Sequence, residues 1–263
     1  MPREKGSTRL SGAGFKRNQL GAMERAELMD SFAGRGLITD VLGAIDDGKE
    51  ATVYLCAADP STGVEWLAAK VYRADKFRAF RDPGRYSVGR IHMGSRAERA
   101  IANGTNLGRR LSHHEWVAWE WDVLCRLCDA GADVPEPLAC SADAILMEYV
   151  GDASGGAPQL RQARLEPEQA EPTLRRLLDN VELLLDHHLV HGDLSPYNIL
   201  WWEGRPWIID VPQSLDARLH PDAQRLFERD VANVERYFRR YGVSDAGFAS
   251  RTWQRYRRGE LGR

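Results

Sequence analysis

Apolar residues follow two rhythms along this chain. Between Leu37 and Arg73 they form short runs, LITDVLGAI, ATVYLCAAD and EWLAAKVYR, separated by DDGK and DPSTG. Runs of this length bounded by Gly, Pro and Asp predict strands. Three of them in succession predict an antiparallel meander. From His113 the spacing lengthens to a helical period. In HHEWVAWEWDVLCRLCDAG, residues Trp116, Trp119, Val123 and Leu127 share one face, and Gly131 ends the helix. VPEP then reads as a turn, AILMEYV as a buried strand and GDASGGAP as a hinge. TLRRLLDNVELLLDHHLV is strongly amphipathic, with Leu174, Leu177, Leu178, Val181, Leu184 and Leu185 as its core stripe. A last helix is expected over about Pro221–Tyr241, with Leu226, Val231, Val234 and Phe238 inward.

Outside these segments the periodicity fades. Residues 1–36 read as a loosely ordered extension holding a short helix over Ala22–Phe32. Residues 81–112 contain Gly84, Gly89, Gly94, Gly104 and Gly108 and no clear period, so a long mobile loop is expected, with a short helix near Arg96–Ala102. Residues 244–263 read as an Arg-rich, partly ordered tail. The order of elements predicts an α+β chain with an antiparallel-sheet lobe and then a mainly helical lobe.

A length of 263 residues suits one domain with two lobes or two small domains. The net charge of −2 excludes a global basic field. Residues 70–110 nonetheless carry eleven Lys/Arg against three acids, a run that either faces phosphates or is a solvated face. Four cysteines make no disulfide framework, and the single CxxC of Cys125 and Cys128 falls inside a helical pattern with no second pair, so no zinc site is expected. Reduced thiols and no recognisable signal peptide point to the cytoplasm, and no apolar run is long enough for a membrane span.

The chemistry concentrates in HGDLSPYNILWWEGRPWIID, His191 to Asp210. Asp193 and Asn198 lie five positions apart, and Asp210 follows twelve further on at the end of an apolar strand. Phosphoryl transfer needs one carboxylate to orient the nucleophile, and an amide and a second carboxylate to hold a divalent ion on the nucleotide phosphates. Asp193 and Asp210 are therefore the catalytic candidates, and Asn198 and Asp210 the metal ligands. ATP and Mg²⁺ are the expected cofactors, with Mn²⁺ as the alternative ion. His191 reads as structural, the paired histidines as ordinary helix residues, and Trp201 and Trp202 as hairpin packing.

The ATP-binding candidates come from the first half of the chain. Gly48, Lys49 and Glu50 form a turn whose backbone can approach phosphates, with Val53 following on the strand. Lys70, inside AAKVY, needs a partner if half-buried, and Glu120 is the best candidate. Such a pair would aim the ammonium at the α- and β-phosphates. Met147, Glu148 and Val150 precede the hinge, where the backbone of Glu148 and Val150 can meet adenine.

Together these residues resemble the RIO family of atypical protein kinases. The features that carry the resemblance are GKEATVY in place of a three-glycine loop, VPEP after the long helix, HGDLSPYN, IIDVPQS in place of a DFG segment, and LFERDVANVERYF as a closing helix. The match spans roughly residues 37–243. It implies a shortened, two-lobed kinase-like fold without activation loop or peptide platform. The first lobe would cover about 37–147, the hinge 148–157 and the second lobe 158–243. It implies Ser/Thr phosphorylation of proteins, autophosphorylation included, and/or ATP hydrolysis through an aspartyl phosphate at Asp210. It also implies a role in small ribosomal subunit maturation, with the basic 81–112 loop as an RNA contact. Pro196 departs from the acidic residue many relatives carry there. The alternatives are a small-molecule phosphotransferase of the aminoglycoside or choline kinase type, and a non-catalytic ATP-gated binding module. GKEATVY, VPEP and Gln213 argue against the first, and the intact set of Lys70, Asp193, Asn198 and Asp210 against the second.

Overall fold

The computed structural model describes residues 22–48, 51–72 and 106–262. The backbone alone is described at its helical edges, residues 22–24 and 106–113. Lys49, Glu50, the N-terminal stretch before residue 22 and residues 81–105 of the predicted loop lie outside them.

The strands β1 (Ile38–Asp47), β2 (Ala51–Ala58), β3 (Trp66–Tyr72), β4 (Pro137–Cys140) and β5 (Ala144–Glu148) form one sheet in the order β1-β2-β3-β5-β4. All neighbours are antiparallel, so the meander holds. Its alternation decides where Lys70 points. Leu67, Ala69 and Val71 of β3 face one side, where α1 (Ala22–Phe32) buries Leu28 and Phe32 against them. Ala68 and Tyr72 face the other side, with α2 (Asn106–Asp129) packed over them through Val117, Val123 and Leu124. Lys70 shares the parity of Ala68 and Tyr72, so it faces α2. The helix α1 is thus a packed layer and not part of a loose extension, because Leu28 and Phe32 cover apolar sheet that would otherwise face water. Helix α2 begins at Asn106 rather than His113, taking the end of the predicted loop into the helix. The strand β4 was not foreseen, being short and opened by a proline.

After β5, the predicted hinge closes into a tight two-stranded ribbon, β6 (Gly151–Asp152) with β7 (Gly155–Gly156). The second half is mainly helical. The helix α3 (Pro167–Asp186) starts with a capping box between Glu166 and Gln169 and buries all six residues of the predicted stripe. The short strand β8 (Leu189–Val190) pairs with β11 (Leu215–Asp216), and β9 (Ile199–Trp202) pairs with β10 (Arg205–Ile208). The two-residue turn of that hairpin, Glu203-Gly204, has φ of 49° and 75°, as a primed turn requires. The helix α4 (Ala223–Phe238) is followed by a 3₁₀ turn, Arg239–Tyr241.

The tail departs from expectation. Residues Phe248–Arg257 form a further helix, α5, that buries Phe248, Thr252 and Trp253. Phe227 and Trp253 pack ring on ring at 5.6 Å between centroids, and Arg255 reaches Glu182 of α3 at 2.8 Å. Of the arginines that made this segment look like a tail, Arg251 and Arg257 lie on its exposed side. No helix among the described residues is long and apolar enough to cross a membrane.

Candidate active site

Two clusters of predicted residues meet between the sheet and the helical half. The first joins three parts of the chain. Lys70 Nζ donates to Glu120 Oε1 at 2.8 Å and Oε2 at 3.1 Å, and to Asp210 Oδ1 at 2.7 Å. Glu120 reaches Lys70 because it sits on the buried face of α2, between Trp116/Val117 and Val123/Leu124, and is itself only 1% exposed. Burial would lower the Lys70 pKa, but Asp210 and Glu120 outweigh it and hold the ammonium charged. Burial would raise Asp210, but Lys70 holds it below the usual carboxylate range. The Asp210 side chain remains 39% exposed. Its φ of 65° is unusual for a residue with a Cβ and costs on the order of 1 kcal/mol.

The second cluster is the loop that carries Asp193 and Asn198. Asn198 Nδ2 donates to the Asp193 carbonyl at 2.9 Å and to its Oδ2 at 3.4 Å. With the amide nitrogen fixed on Asp193, Asn198 Oδ1 is the atom left to ligate a cation. The backbone ties the clusters together: Ile209 N–H donates to the Asn198 carbonyl at 3.0 Å. His191 is 2% exposed, its Nδ1 accepts from Asp193 N–H at 3.3 Å, and its Nε2 lies 3.2 Å from the Ile209 carbonyl. With Nδ1 on the Asp193 N–H and Nε2 on the Ile209 carbonyl, His191 braces the loop against the strand. Gly192 is required twice over. Its φ is 80°, and a Cβ would lie 2.7 Å from the Gln213 carbonyl oxygen.

Burial pushes the Asp193 carboxyl up, against the pull of His191 and Arg229, while Asp210 is held down. Carboxylates driven apart in this way suit different tasks, Asp193 accepting a proton and Asp210 staying anionic. Among the described residues no three His, Cys, Asp or Glu side chains group as a metal cage. One carboxylate and one amide oxygen nevertheless fit a hard cation that takes its other oxygens from phosphates and water.

The remaining predicted residues lie on the sheet, in its first turn and just after β5. Val53 pairs with Lys70 across β2 and β3 and packs into the same core. Met147 and Glu148 end β5, and Val150 follows, buried. The Glu148 N–H donates to the Glu136 carbonyl at 2.8 Å, and its side chain accepts from Glu136 N–H at 3.2 Å. Gly48 closes the β1–β2 turn, its N–H donating to the Ala51 carbonyl at 3.0 Å. Lys49 and Glu50 fall outside the described residues.

One residue of the site went unforeseen. Asp230 of α4, 2% exposed, accepts from Gly192 N–H at 2.7 Å and Leu194 N–H at 3.1 Å, so it holds the loop on both sides of Asp193. Burial pushes its carboxyl up to about 6. Its signal was in the sequence: Asp230 stands in register with Leu226 and Val234 on the apolar face, where a carboxylate must have partners. Trp119 is a second unforeseen link, its indole N–H donating to the Ser214 carbonyl at 2.8 Å and tying α2 to the segment after Asp210.

A buried Lys–Glu pair, an Asp–Asn loop and a strand-end aspartate in one cleft describe a kinase-type centre, and a family comparison agrees. The RIO domain model matches residues 52–250. The chain belongs to the RIO domain family. Among curated proteins, this RIO domain is 32% identical over 215 residues to serine/threonine-protein kinase RIO1 of Caenorhabditis elegans, covering 80% of this chain and 39% of that protein. It is 34% identical over 221 residues to the RIO1 kinase of Chaetomium thermophilum, covering 80% and 41%. It is 32% identical over 210 residues to RIO-type serine/threonine-protein kinase Rio1 of Haloferax volcanii, covering 78% and 65%. The RIO domain here therefore spans about two fifths of the eukaryotic relatives and just under two thirds of the archaeal one.

Proposed function

We propose that this chain is an ATP-dependent phosphotransferase acting on Ser or Thr hydroxyls of proteins, itself included, and that it also hydrolyses ATP through an aspartyl phosphate at Asp210. The observation that carries the reading is the convergence of Lys70, Glu120 and Asp210 beside the loop bearing Asp193 and Asn198. Lys70, held by Glu120, meets the α- and β-phosphates. Asp193 takes the proton of the attacking hydroxyl. Asn198 Oδ1 and Asp210 hold the divalent ion, Mg²⁺ or Mn²⁺, which when bound neutralises charge on the phosphate oxygens. Adenine lies against Val53 and Met147. Because the Glu148 N–H is already taken, its recognition falls to the Glu148 carbonyl and the Val150 N–H. The Gly48–Glu50 turn covers the phosphates. Contact with ribosomal RNA through the basic stretch 81–112 rests on charge in the sequence.

The test is a single-turnover incubation with γ-labelled ATP and Mg²⁺, without added substrate, following free phosphate and protein-bound label. Hydroxylamine-labile label that disappears in Asp210→Ala supports the aspartyl phosphate. Stable label on Ser or Thr that disappears in Asp193→Ala supports protein phosphorylation. Wild-type turnover in both variants would overturn the site.

A further inference from the structure

We infer that the face of α4 beside the catalytic loop selects acceptor peptides rich in acidic residues. This rests on the protein-phosphotransferase reading above and names its substrate class. Arg229, Asn233 and Arg236 lie at i, i+4 and i+7 of α4, and Arg240 continues their line in the 3₁₀ turn. The line starts at the loop that carries Asp193. Arg229 donates to the Gly192 carbonyl, and Asn233 Nδ2 to the Leu194 carbonyl at 3.2 Å. Across the loop stands Tyr197, 58% exposed, with the Arg161 guanidinium 4.5 Å from its ring centroid.

Position beside the loop sets these arginines apart, since Arg35, Arg164, Arg239, Arg257 and Arg258 are also exposed and without a carboxylate partner among the described residues. Elsewhere, Arg218 pairs with Asp216, Arg251 with Asp245 and Arg255 with Glu182. Arg161, Arg236 and Arg240 are exposed and have no carboxylate partner among the described residues. They rest on the Gln159 and Asn233 amides and on the Tyr237 ring. Of the acids of the same helix, Glu228 and Glu235 lie on its other side, along the groove by Phe248, and Asp230 is buried on the Gly192 and Leu194 N–H groups, 3.9 Å from Arg229. Charge is thus sorted across α4, and the face beside Asp193 is left positive.

The line from Arg229 to Arg240 is roughly 16 Å long at about 1.5 Å per residue. That matches about five residues of extended peptide at about 3.3 Å each. A chain placing its hydroxyl at Asp193 must run onto one of the adjoining surfaces, and this one offers unpaired guanidiniums to carboxylates. Continuity with the hydroxyl-accepting loop favours a peptide over nucleic acid.

The test compares a Ser peptide flanked by Asp and Glu with its Asn/Gln counterpart, using the full chain, ATP and Mg²⁺. The acidic peptide should have a kcat/KM higher by about tenfold, mainly through KM. The pair R236Q and R240Q should erase that preference and leave the neutral peptide unchanged. Equal rates for the two peptides, or equal losses in the variant, would overturn the inference. Anisotropy of the labelled acidic peptide, in the presence of a non-hydrolysable ATP analogue, separates the two readings. Arginine-dependent binding without transfer keeps the acidic surface and removes protein phosphorylation. Failure of the peptide to bind, while a single-stranded RNA oligonucleotide binds in an Arg236- and Arg240-dependent way, assigns the face to nucleic acid and overturns the inference.

Discussion

Two buried ionic clusters in this protein are built in opposite senses. In the cleft, one cation, Lys70, serves two carboxylates, Glu120 at 2.8 Å and Asp210 at 2.7 Å. Behind the helical half, one carboxylate, Asp133, serves two guanidiniums, Arg176 and Arg205, each at 2.6 Å. Asn180 completes the second cluster, with Oδ1 accepting from Asp133 N–H and Nδ2 donating to Asp133 Oδ2. Asp133 is sealed, and its excess positive charge sits on arginines 51% and 38% exposed, where water disperses it. In the cleft the excess is negative and lies on Asp210, whose backbone is in the left-handed region. The Asp133 cluster fastens α3 to the β9–β10 hairpin. The Lys70 cluster holds one more carboxylate than cation, and the odd carboxylate is the exposed one.

The sharpest way to break this contrast is to exchange stability for activity at each cluster. Lys70→Met should cut turnover by about 10²–10³, the usual cost of one preorganised group at a phosphoryl transition state. K70M with E120L replaces the buried pair and leaves only Asp210, 39% exposed, to water, so the fold should stay near parental stability. A double variant that failed to fold would make this pair part of the scaffold.

Asp133→Ala should show the reverse. A loss of about 2–3 kcal/mol in urea unfolding is expected, below the roughly 3–5 of a fully buried pair because both arginines can turn to water. Rates per folded molecule should be unchanged, and a large fall in kcat would erase the distinction. Its carboxyl is held low by Arg176, Asn180 and Arg205 against the effect of burial. That stability is present above the ordinary Asp pKa and fades as pH falls through the lower folded value.

Asp230 titrates with the opposite sign. Its pKa is raised from 3.8 to about 6, so the native chain keeps a proton that the unfolded chain has lost. The contribution is complete below the unfolded value and is lost as pH rises through about 6. Asp230→Asn should flatten the stability profile across that window, measured by denaturant titration at each pH, and an unaltered slope would remove the assignment. The smallest effect is expected from Trp119→Phe, which takes the donor from the buried Ser214 carbonyl and should lower stability by about 1 kcal/mol. An unchanged midpoint would mean the indole N–H matters little.

The residues that could be read in advance share a local cause. His191 to Asp210 is one loop, one hairpin and one strand end, and its chemistry is set by spacing within about twenty residues. The meander, the stripe of α3 and the Lys70–Glu120 pair follow from period and parity, because a charge on an apolar face demands a partner. Asp230 obeyed the same rule and was overlooked. Asp133 left no such mark, since the turn around it has no period from which burial could be inferred. The tail was misread because six of the ten residues of α5 are arginine or polar, three of them arginines, and its buried side hangs on Phe248, Thr252 and Trp253.

The sequence by itself determined the family, the catalytic loop and the alternation that turns Lys70 toward α2. Only the tertiary structure decided that Lys70 also reaches Asp210, 140 positions away, that Asp230 braces the loop from α4, and that α4 sorts its charges with the basic side toward Asp193. The physical reason is range. Periodicity and turn chemistry act over a few residues and are written locally, whereas a contact between distant segments exists only once packing has fixed their separation and stripped the water between them.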